Sequence, residues 1–192
     1  MPDDQPVVEL DMPGPAPSPE TEAYFEKCRE KLGLVPNVLR AYSFDEKKLR
    51  AFTDFYNDLM LADSELSKLE REMIAVVVSA ANSCHYCVIA HGASVRALSG
   101  DPALGDTLSV NYRAAELSPR HRAMLDYAFI LTTRPAEAGG AARDALRTAG
   151  FSDRAIWDIA AVAGFFNMSN RVATATGMRP NAEYYAMART AD

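Results

Sequence analysis

"LSKLEREMIAVVVSAANSCHYCVIAHG", residues 66–92, holds one helix, a break and the opening of a second helix. Ser67 followed three positions later by Glu70 makes a capping box, with Leu66 before it as a staple, so a helix starts there. From Ile74 to Ala81 the residues are apolar on every side, and such a helix belongs in the interior. Asn82 and Ser83 favour caps over helix interiors, which predicts a break and a second helix from about Cys84 to Leu98. "SGDP" at 99–102 ends it.

The flanks carry the same period. Six of the eleven prolines fall in the first 19 residues, so residues 1–18 read as an extended arm that cannot pack as helix or central strand, free to dock on a neighbour or to move. Ser18 and Pro19 open a helix that stops at Gly33, and "VPNVLRAYS" adds a short one opened by Pro36. Between Asp45 and Leu61 the residues Leu49, Phe52, Phe55, Tyr56, Leu59 and Met60 form a helical stripe. Ser118-Pro119 starts a further helix through Thr133, turning Met124, Leu125, Tyr127, Ala128 and Leu131 inward. Pro135 to Ala149 reads as another, stopped at Gly150.

"FSDRAIWDIAAVAGFFNMSNRVATATG" (151–177) repeats the grammar of the first stretch: an apolar staple, Ser152 as cap, a long apolar run, then Asn167 and a turn-like polar cluster. An offset of 85 sets Ser67 on Ser152, Ile74 on Ile159, Val77 on Val162 and Asn82 on Asn167, either a degenerate internal repeat or two ordinary buried helices. Cys84 falls on Ser169, so a second copy lacks the cysteine chemistry. Asn167, Asn170 and Arg171 read as helix-end caps. No segment alternates with the period of a strand. The expected fold is all-α, with one helical domain over residues 19–192.

With 20 Lys and Arg against 26 Asp and Glu, the chain carries a formal charge of −6 and no basic run, which argues against nucleic acid and anionic membranes as partners. "MPDDQPVVEL" is acidic and proline-broken, unlike a secretory signal, and the apolar run from Met73 to Val78 is too short to span a bilayer. A soluble cytoplasmic protein is the expectation. In that reducing compartment a CxxC pair is catalytic or metal-binding rather than a staple, and the odd count of three cysteines fits. Cys28 stands alone on a charged helix and carries no expected chemistry.

Cys84, Cys87 and His91 follow one another at three and four residues, which on a helix puts them on one face. Cys84 at the helix start lies beside unpaired amides that favour its thiolate, and Cys87, one turn on, is close enough to form a disulfide with it. His91 is placed to exchange a proton with Cys87, and Glu72, beside an apolar run, needs a partner such as a buried histidine or thiol. The same four residues could instead make a tetrahedral zinc set, or the cysteines could simply be buried. A second strong ligand pair is missing, since only His85 and His121 remain. A thioredoxin-like reading fails because its CxxC follows a strand.

Glu72, Cys84 twelve later, Cys87 and His91 together resemble the signature of the AhpD-like alkylhydroperoxidases within the carboxymuconolactone decarboxylase superfamily. "LGLVPNVLRAYS", "DFYNDLML", "SPRHRAMLDYAFILTTRPAE" and "GFFNMSNRVATATGMRPNAEYY" are similar to its longer, peroxidase-related branch, so the likeness covers about residues 30 to 187. The resemblance implies a helical bundle, homo-oligomeric assembly and cofactor-free reduction of hydroperoxides by the CxxC pair, recharged by a lipoyl- or thioredoxin-like dithiol. It gives peroxide attack to Cys87, resolution to Cys84 and the proton relay to Glu72 and His91. The helix-start argument instead makes Cys84 the more acidic thiol. Tyr86 stands where the alkylhydroperoxidases place a relay histidine; a phenol shuttles protons poorly at neutral pH but can donate a hydrogen bond. His85, one step (~100°) around the helix, is expected to be exposed. A lactone decarboxylase is the weaker reading, because no basic cluster suits a dicarboxylate. A metal-binding or redox-sensing module without turnover is the other alternative.

Overall fold

The computed structural model describes residues 6–190, and those residues form helices and turns with no strand. The first five residues of the proline-rich arm lie outside them. Nine α-helices follow in order: α1 Pro19–Leu32, α2 Asn37–Tyr42, α3 Glu46–Leu61, α4 Lys68–Ala81, α5 His85–Ser99, α6 Leu104–Asn111, α7 Pro119–Thr133, α8 Gly140–Thr148 and α9 Asp153–Ala175. Single 3₁₀ turns cover Tyr112–Ala114, Pro135–Glu137 and Ala182–Tyr185.

Apolar on all sides, α4 becomes the axis of the bundle, with α5, α6, α7 and α9 packed around it. Ile74, Ala75, Val76 and Val78 are completely buried. Its capping box forms as read: Glu70 N–H donates to Ser67 Oγ at 3.1 Å and Ser67 N–H to Glu70 Oε2 at 2.8 Å. Arg71, also buried, donates to the carbonyls of Leu59 and Ala62 and so fastens the end of α3 to α4.

Several boundaries differ from the sequence reading. Pro135–Ala149 is not one helix; the adjoining Gly139 and Gly140 separate the 3₁₀ turn from α8, because glycine in a helix interior is costly. The short α6 was not anticipated, having no side-chain cap and a glycine in its first turn. That glycine is required: a Cβ on Gly105 would stand 2.5 Å from the carbonyl oxygen of Gly92, where α5 and α6 approach. Phe55, one of the helical stripe, is 46 % exposed and packs edge-on against Phe165. Most consequential, α9 does not end at Asn167 but runs on to Ala175.

The described part of the arm lies along its own chain. Glu9 N–H donates to Thr176 O at 2.8 Å, Arg179 N–H donates to Val7 O at 3.0 Å, and Val8 is buried. Among the described residues no helix is long and apolar enough to cross a membrane.

Candidate functional site

The break between α4 and α5 builds the site. Asn82 ends α4, Ser83 takes a left-handed φ of 53°, and Cys84 becomes the residue that opens α5, its N–H donating to Ser79 O at 2.9 Å. A left-handed serine costs about 1–2 kcal/mol, so the sharp turn must be held by its surroundings. No conventional side-chain cap closes α5; the Cys84 sulfur stands in that place, faced by the amide and the thiol of Cys87.

Two sulfurs three residues apart therefore meet opposite fates. Donation from the Cys87 thiol, from the Cys87 amide and from the Thr174 hydroxyl, with His91 nearby, outweighs burial and lowers the Cys84 pKa from 9.0 to about 6. Cys87 moves the other way. Its proton is held against the Cys84 sulfur, and burial and the neighbouring thiolate push its pKa well up, opposed only by hydrogen bonds from Asn170 and Ser169. These surroundings favour the thiolate at Cys84 and the thiol at Cys87. Both are buried, and neither is in a disulfide.

Glu72 on α4 and His91 on α5 form the second half of the site. His91 Nδ1 and Glu72 Oε2 are 2.6 Å apart, both side chains are about 10 % exposed, and the imidazole packs edge-on against Phe166 at 4.5 Å between centroids. With Nδ1 given to the carboxylate, Nε2 is the nitrogen left for proton traffic. The carboxylate's need for a partner beside an apolar run is met in this way.

Tyr86 is buried, and its hydroxyl accepts from the Val38 N–H at 3.0 Å, tying α5 to the start of α2. Its phenol, pushed well up by burial, stays protonated. His85 is exposed and meets Tyr185 Oη at 3.0 Å. Cys28 lies on α1, packed against the main core rather than beside the other two thiols, and burial raises its pKa.

Asn167, Asn170 and Arg171 are corrected most. They are not caps but interior residues of α9. Asn170 is 1 % exposed; its amide donates to Ser79 Oγ at 3.0 Å and its oxygen accepts from Asn82 at 2.9 Å. Asn167 also accepts from Asn82, at 3.1 Å, while Arg171 donates to the Asn167 carbonyl and side chain. Ser169, Asn170 and Thr174, which contact the two sulfurs, were missed as site residues. The offset of 85 that sets Ser169 against Cys84 was the one signal pointing at this turn of α9.

As a metal centre the same residues fit poorly. Among the described residues no three His, Cys, Asp or Glu side chains stand grouped to hold a metal ion, and Glu72 and His91 are engaged with each other.

The bundle thus sets a pair of cysteines at a helix start beside a buried carboxylate–imidazole pair. Residues 47–103 match the model of the carboxymuconolactone decarboxylase family. An uncharacterized peroxidase-related protein from Silicibacter sp. TM1040 is 59 % identical, with a TM-score of 0.94 over 98 % of this chain and 100 % of that one. A second structure, described as an alkylhydroperoxidase AhpD core from Ralstonia eutropha JMP134, is 41 % identical with a TM-score of 0.93 over 98 % and 100 % of the two chains. The chain belongs to the AhpD-like carboxymuconolactone decarboxylase superfamily. The debrominase Bmp8, 22 % identical with a TM-score of 0.75 over 88 % of this chain and 90 % of that one, shares the fold. None of the curated proteins matches.

Proposed function

We propose that the protein is a thiol-dependent peroxidase reducing organic hydroperoxides through Cys84 and Cys87. The observation that carries the reading is the arrangement at the start of α5, where the Cys84 sulfur is faced by the thiol and amide of Cys87 with the Glu72–His91 pair close by. The Cys84 sulfur attacks the terminal oxygen, the O–O bond breaks, and a sulfenic acid and an alkoxide result, the alkoxide leaving as the alcohol with a proton delivered through His91. The Cys87 sulfur then displaces the hydroxyl, which leaves as water with the Cys87 proton, and the disulfide forms.

Electrostatics time the two steps. What holds the Cys87 proton in place is chiefly the Cys84 thiolate, and oxidation of Cys84 removes that charge. Donors from Asn170 and Ser169 are then left to favour the Cys87 thiolate when it is needed. Glu72 and His91 carry protons between this apolar site and solvent. The order of attack is the reverse of the one the family resemblance implies.

A dithiol of the lipoyl or thioredoxin type, in the cytoplasm, recharges the disulfide by exchange. In this reading Cys84 is the sulfur it meets, lying beside the exposed Thr174, whereas Cys87 lies against the enclosed Ser169 and Asn170. Homo-oligomeric assembly belongs to the same reading, supported by the exposed stripe of Trp157, Gly164 and Met168 on α9 and tested by sedimentation.

The test is mass analysis of the reduced, metal-stripped protein before and after one equivalent of organic hydroperoxide. Loss of two hydrogens at a Cys84 to Cys87 bridge is expected, in Cys28→Ser as in wild type. With Cys87→Ser, oxidation should stop at a Cys84 sulfenic acid. A sulfenic acid found only on Cys87, in Cys84→Ser, would reverse the order. An unreactive dithiol from protein purified with equimolar zinc would replace the peroxidase with a metal-binding module.

A further inference from the structure

Both sulfurs are shut in, Cys84 with 1 % and Cys87 with 2 % of its surface exposed. A reagent that bonds to sulfur needs access to it, so a pair enclosed to this degree reacts when part of its cover moves. The cover has three parts, packed with the two cysteines into one apolar cluster. Leu34 and Ala41 come from α2 and the approach to it, Met178 and Tyr184 from the C-terminal segment, and Val8 from the proline-rich arm, with Val7 and Met12 at the cluster's edge.

The three parts are held differently. Side chains rivet α2 and the C-terminal segment to each other and to the bundle: Asn181 Oδ1 accepts from Asn37 N–H at 2.7 Å, its amide donates to Val35 O at 2.9 Å, and Tyr86 Oη accepts from Val38 N–H at 3.0 Å. Buried Arg96 donates to Tyr184 O at 2.8 Å and to Met187 O at 3.0 Å. The described hydrogen bonds of residues 6–17 join main chain to main chain. Glu9 N–H to Thr176 O and Arg179 N–H to Val7 O lay residues 7–9 along the chain just past α9. Val8, between them, is buried, whereas Leu10 is 51 % exposed.

Behind this segment Pro13, Pro15, Pro17 and Pro19 alternate with single residues, a spacing that keeps the chain extended and stiff. Its foot is fixed, with Ser18 N–H donating to Glu46 Oε1 at 2.9 Å and Thr21 Oγ to Glu46 Oε2 at 2.6 Å. Halfway along, a Cβ on Gly14 would stand 2.5 Å from Phe44 Cα, so glycine lets the strut lie on the turn between α2 and α3. A stiff strut on a fixed foot returns to one seat at small entropic cost.

We propose that residues 7–12 are a strap that closes the dithiol and lifts from the end of α9 to admit a reagent to the sulfurs, with Val8 as its latch. The strap governs access and not chemistry, so the inference goes beyond the peroxidase reading and does not depend on it.

The experiment labels the reduced full-length protein with iodoacetamide and with a bulky polyethylene-glycol maleimide, and maps the rate at each cysteine. Val8→Ser removes the apolar latch without adding charge and should speed labelling of Cys84 about tenfold with either reagent, as loss of a buried valine's contacts raises the open population. Gly14→Ala, remote in sequence from the sulfurs, should act in the same direction by prising the strut from Phe44. Leu10→Ser, on the exposed side, should stay within twofold of wild type. Labelling of Cys28, which packs on the main core, should not change in any of them. In wild type the Glu9 and Arg179 amides should exchange hydrogen together and faster than the Cys84 amide, and Val8→Ser should quicken both by the factor seen in labelling. Val8→Ser and Gly14→Ala both within twofold of wild type at Cys84 overturn the proposal. So does a parallel rise at Cys28, which marks general loosening, and so do Glu9 and Arg179 amides no faster than that of Cys84, since the strap would then open only with the fold. A dithiol that passes these tests and is inert to hydroperoxides removes the peroxidase reading and leaves the strap in place.

Discussion

The pair α4–α5 and the single helix α9 begin alike and part company at one residue. Each opens on a serine whose oxygen accepts an amide three residues on, Glu70 to Ser67 at 3.1 Å and Ala155 to Ser152 at 3.0 Å. Each then runs through a buried apolar stretch in which Ile74 and Ile159 are fully enclosed. At Asn82 the first path breaks, with Ser83 turned to positive φ; at Asn167 the second continues. The asparagines differ in how their own groups are satisfied. Asn167 donates to the carbonyl of Ala163, four residues back in its helix, and to Thr132, whereas Asn82 donates across to Asn167 and Asn170. The break supplies a helix start for a sulfur to occupy, and the unbroken helix supplies the polar side chains that meet it. Related grammar thus gives one segment the reacting groups and the other their support.

The largest expected effect belongs to the broken segment. If the Cys84 acidity arises at the start of α5, alkylation of Cys84 in the reduced protein should be half-maximal near pH 6. Lowering the pH protonates the thiolate, so reactivity falls about tenfold per unit below that point and is flat above pH 7. At pH 7 this is roughly two orders of magnitude more thiolate than an ordinary cysteine has. Peptide mapping of labelling against pH checks it, and Cys28, raised by burial, should titrate above an ordinary thiol. Ser83→Pro comes next. Proline cannot reach φ 53° and lacks the N–H that Ser83 donates to Ala80 O at 3.0 Å, so the variant should lose about 3 kcal/mol or more in denaturant titrations. It should also carry the Cys84 profile back toward an ordinary thiol's. A stable Ser83→Pro protein with an unmoved profile would separate the acidity from the break.

Local signals were the most legible in the sequence. Ser18, Ser67, Ser118 and Ser152 all cap as read, Gly33 and Gly150 take positive φ at helix ends, and the break falls at Asn82 and Ser83. Glu72 and His91 meet as expected because two adjoining helices carry them and both needed a partner in an apolar setting. What could not be read is contact between distant segments. Nothing local distinguishes Asn170 as a cap from Asn170 as a buried donor; the decision comes from Ser79, 91 residues away. Tyr184 is likewise placed by Arg96 across 88 residues. Glycines misled in both directions, breaking Pro135–Ala149 where they adjoin and permitting α6 where Gly105 lets two backbones touch.

Asn170→Ala tests the supporting segment. It leaves the enclosed Ser79 hydroxyl and the Asn82 amide each short of a partner, which should cost about 2 kcal/mol in chemical denaturation. It also removes a donor from Cys87, so disulfide closure after Cys84 oxidation should slow while alkylation of Cys84 stays as it was. Slowed Cys84 alkylation with normal closure would invert the division of labour between the segments.

The smallest effects are the most direct comparison of the two openings. Ser67→Ala and Ser152→Ala should each lower stability by about 1 kcal/mol, the usual value of such a cap. They should not be independent. The Ser152 hydroxyl also reaches the Glu65 carboxylate at 2.7 and 2.8 Å, and Glu65 lies two residues before Ser67, so one helix start braces the approach to the other. The double variant in thermal unfolding should therefore depart from the sum of the singles, as contacting sites do. Neither single should shift the Cys84 pH profile, because the caps sit a whole helix away, ~20 Å at 1.5 Å per residue, beyond the reach of a helix-end effect. A cap substitution that moved that profile would mean the thiolate is tuned by the packing of α4 as a body, and not by the few donors gathered at the start of α5.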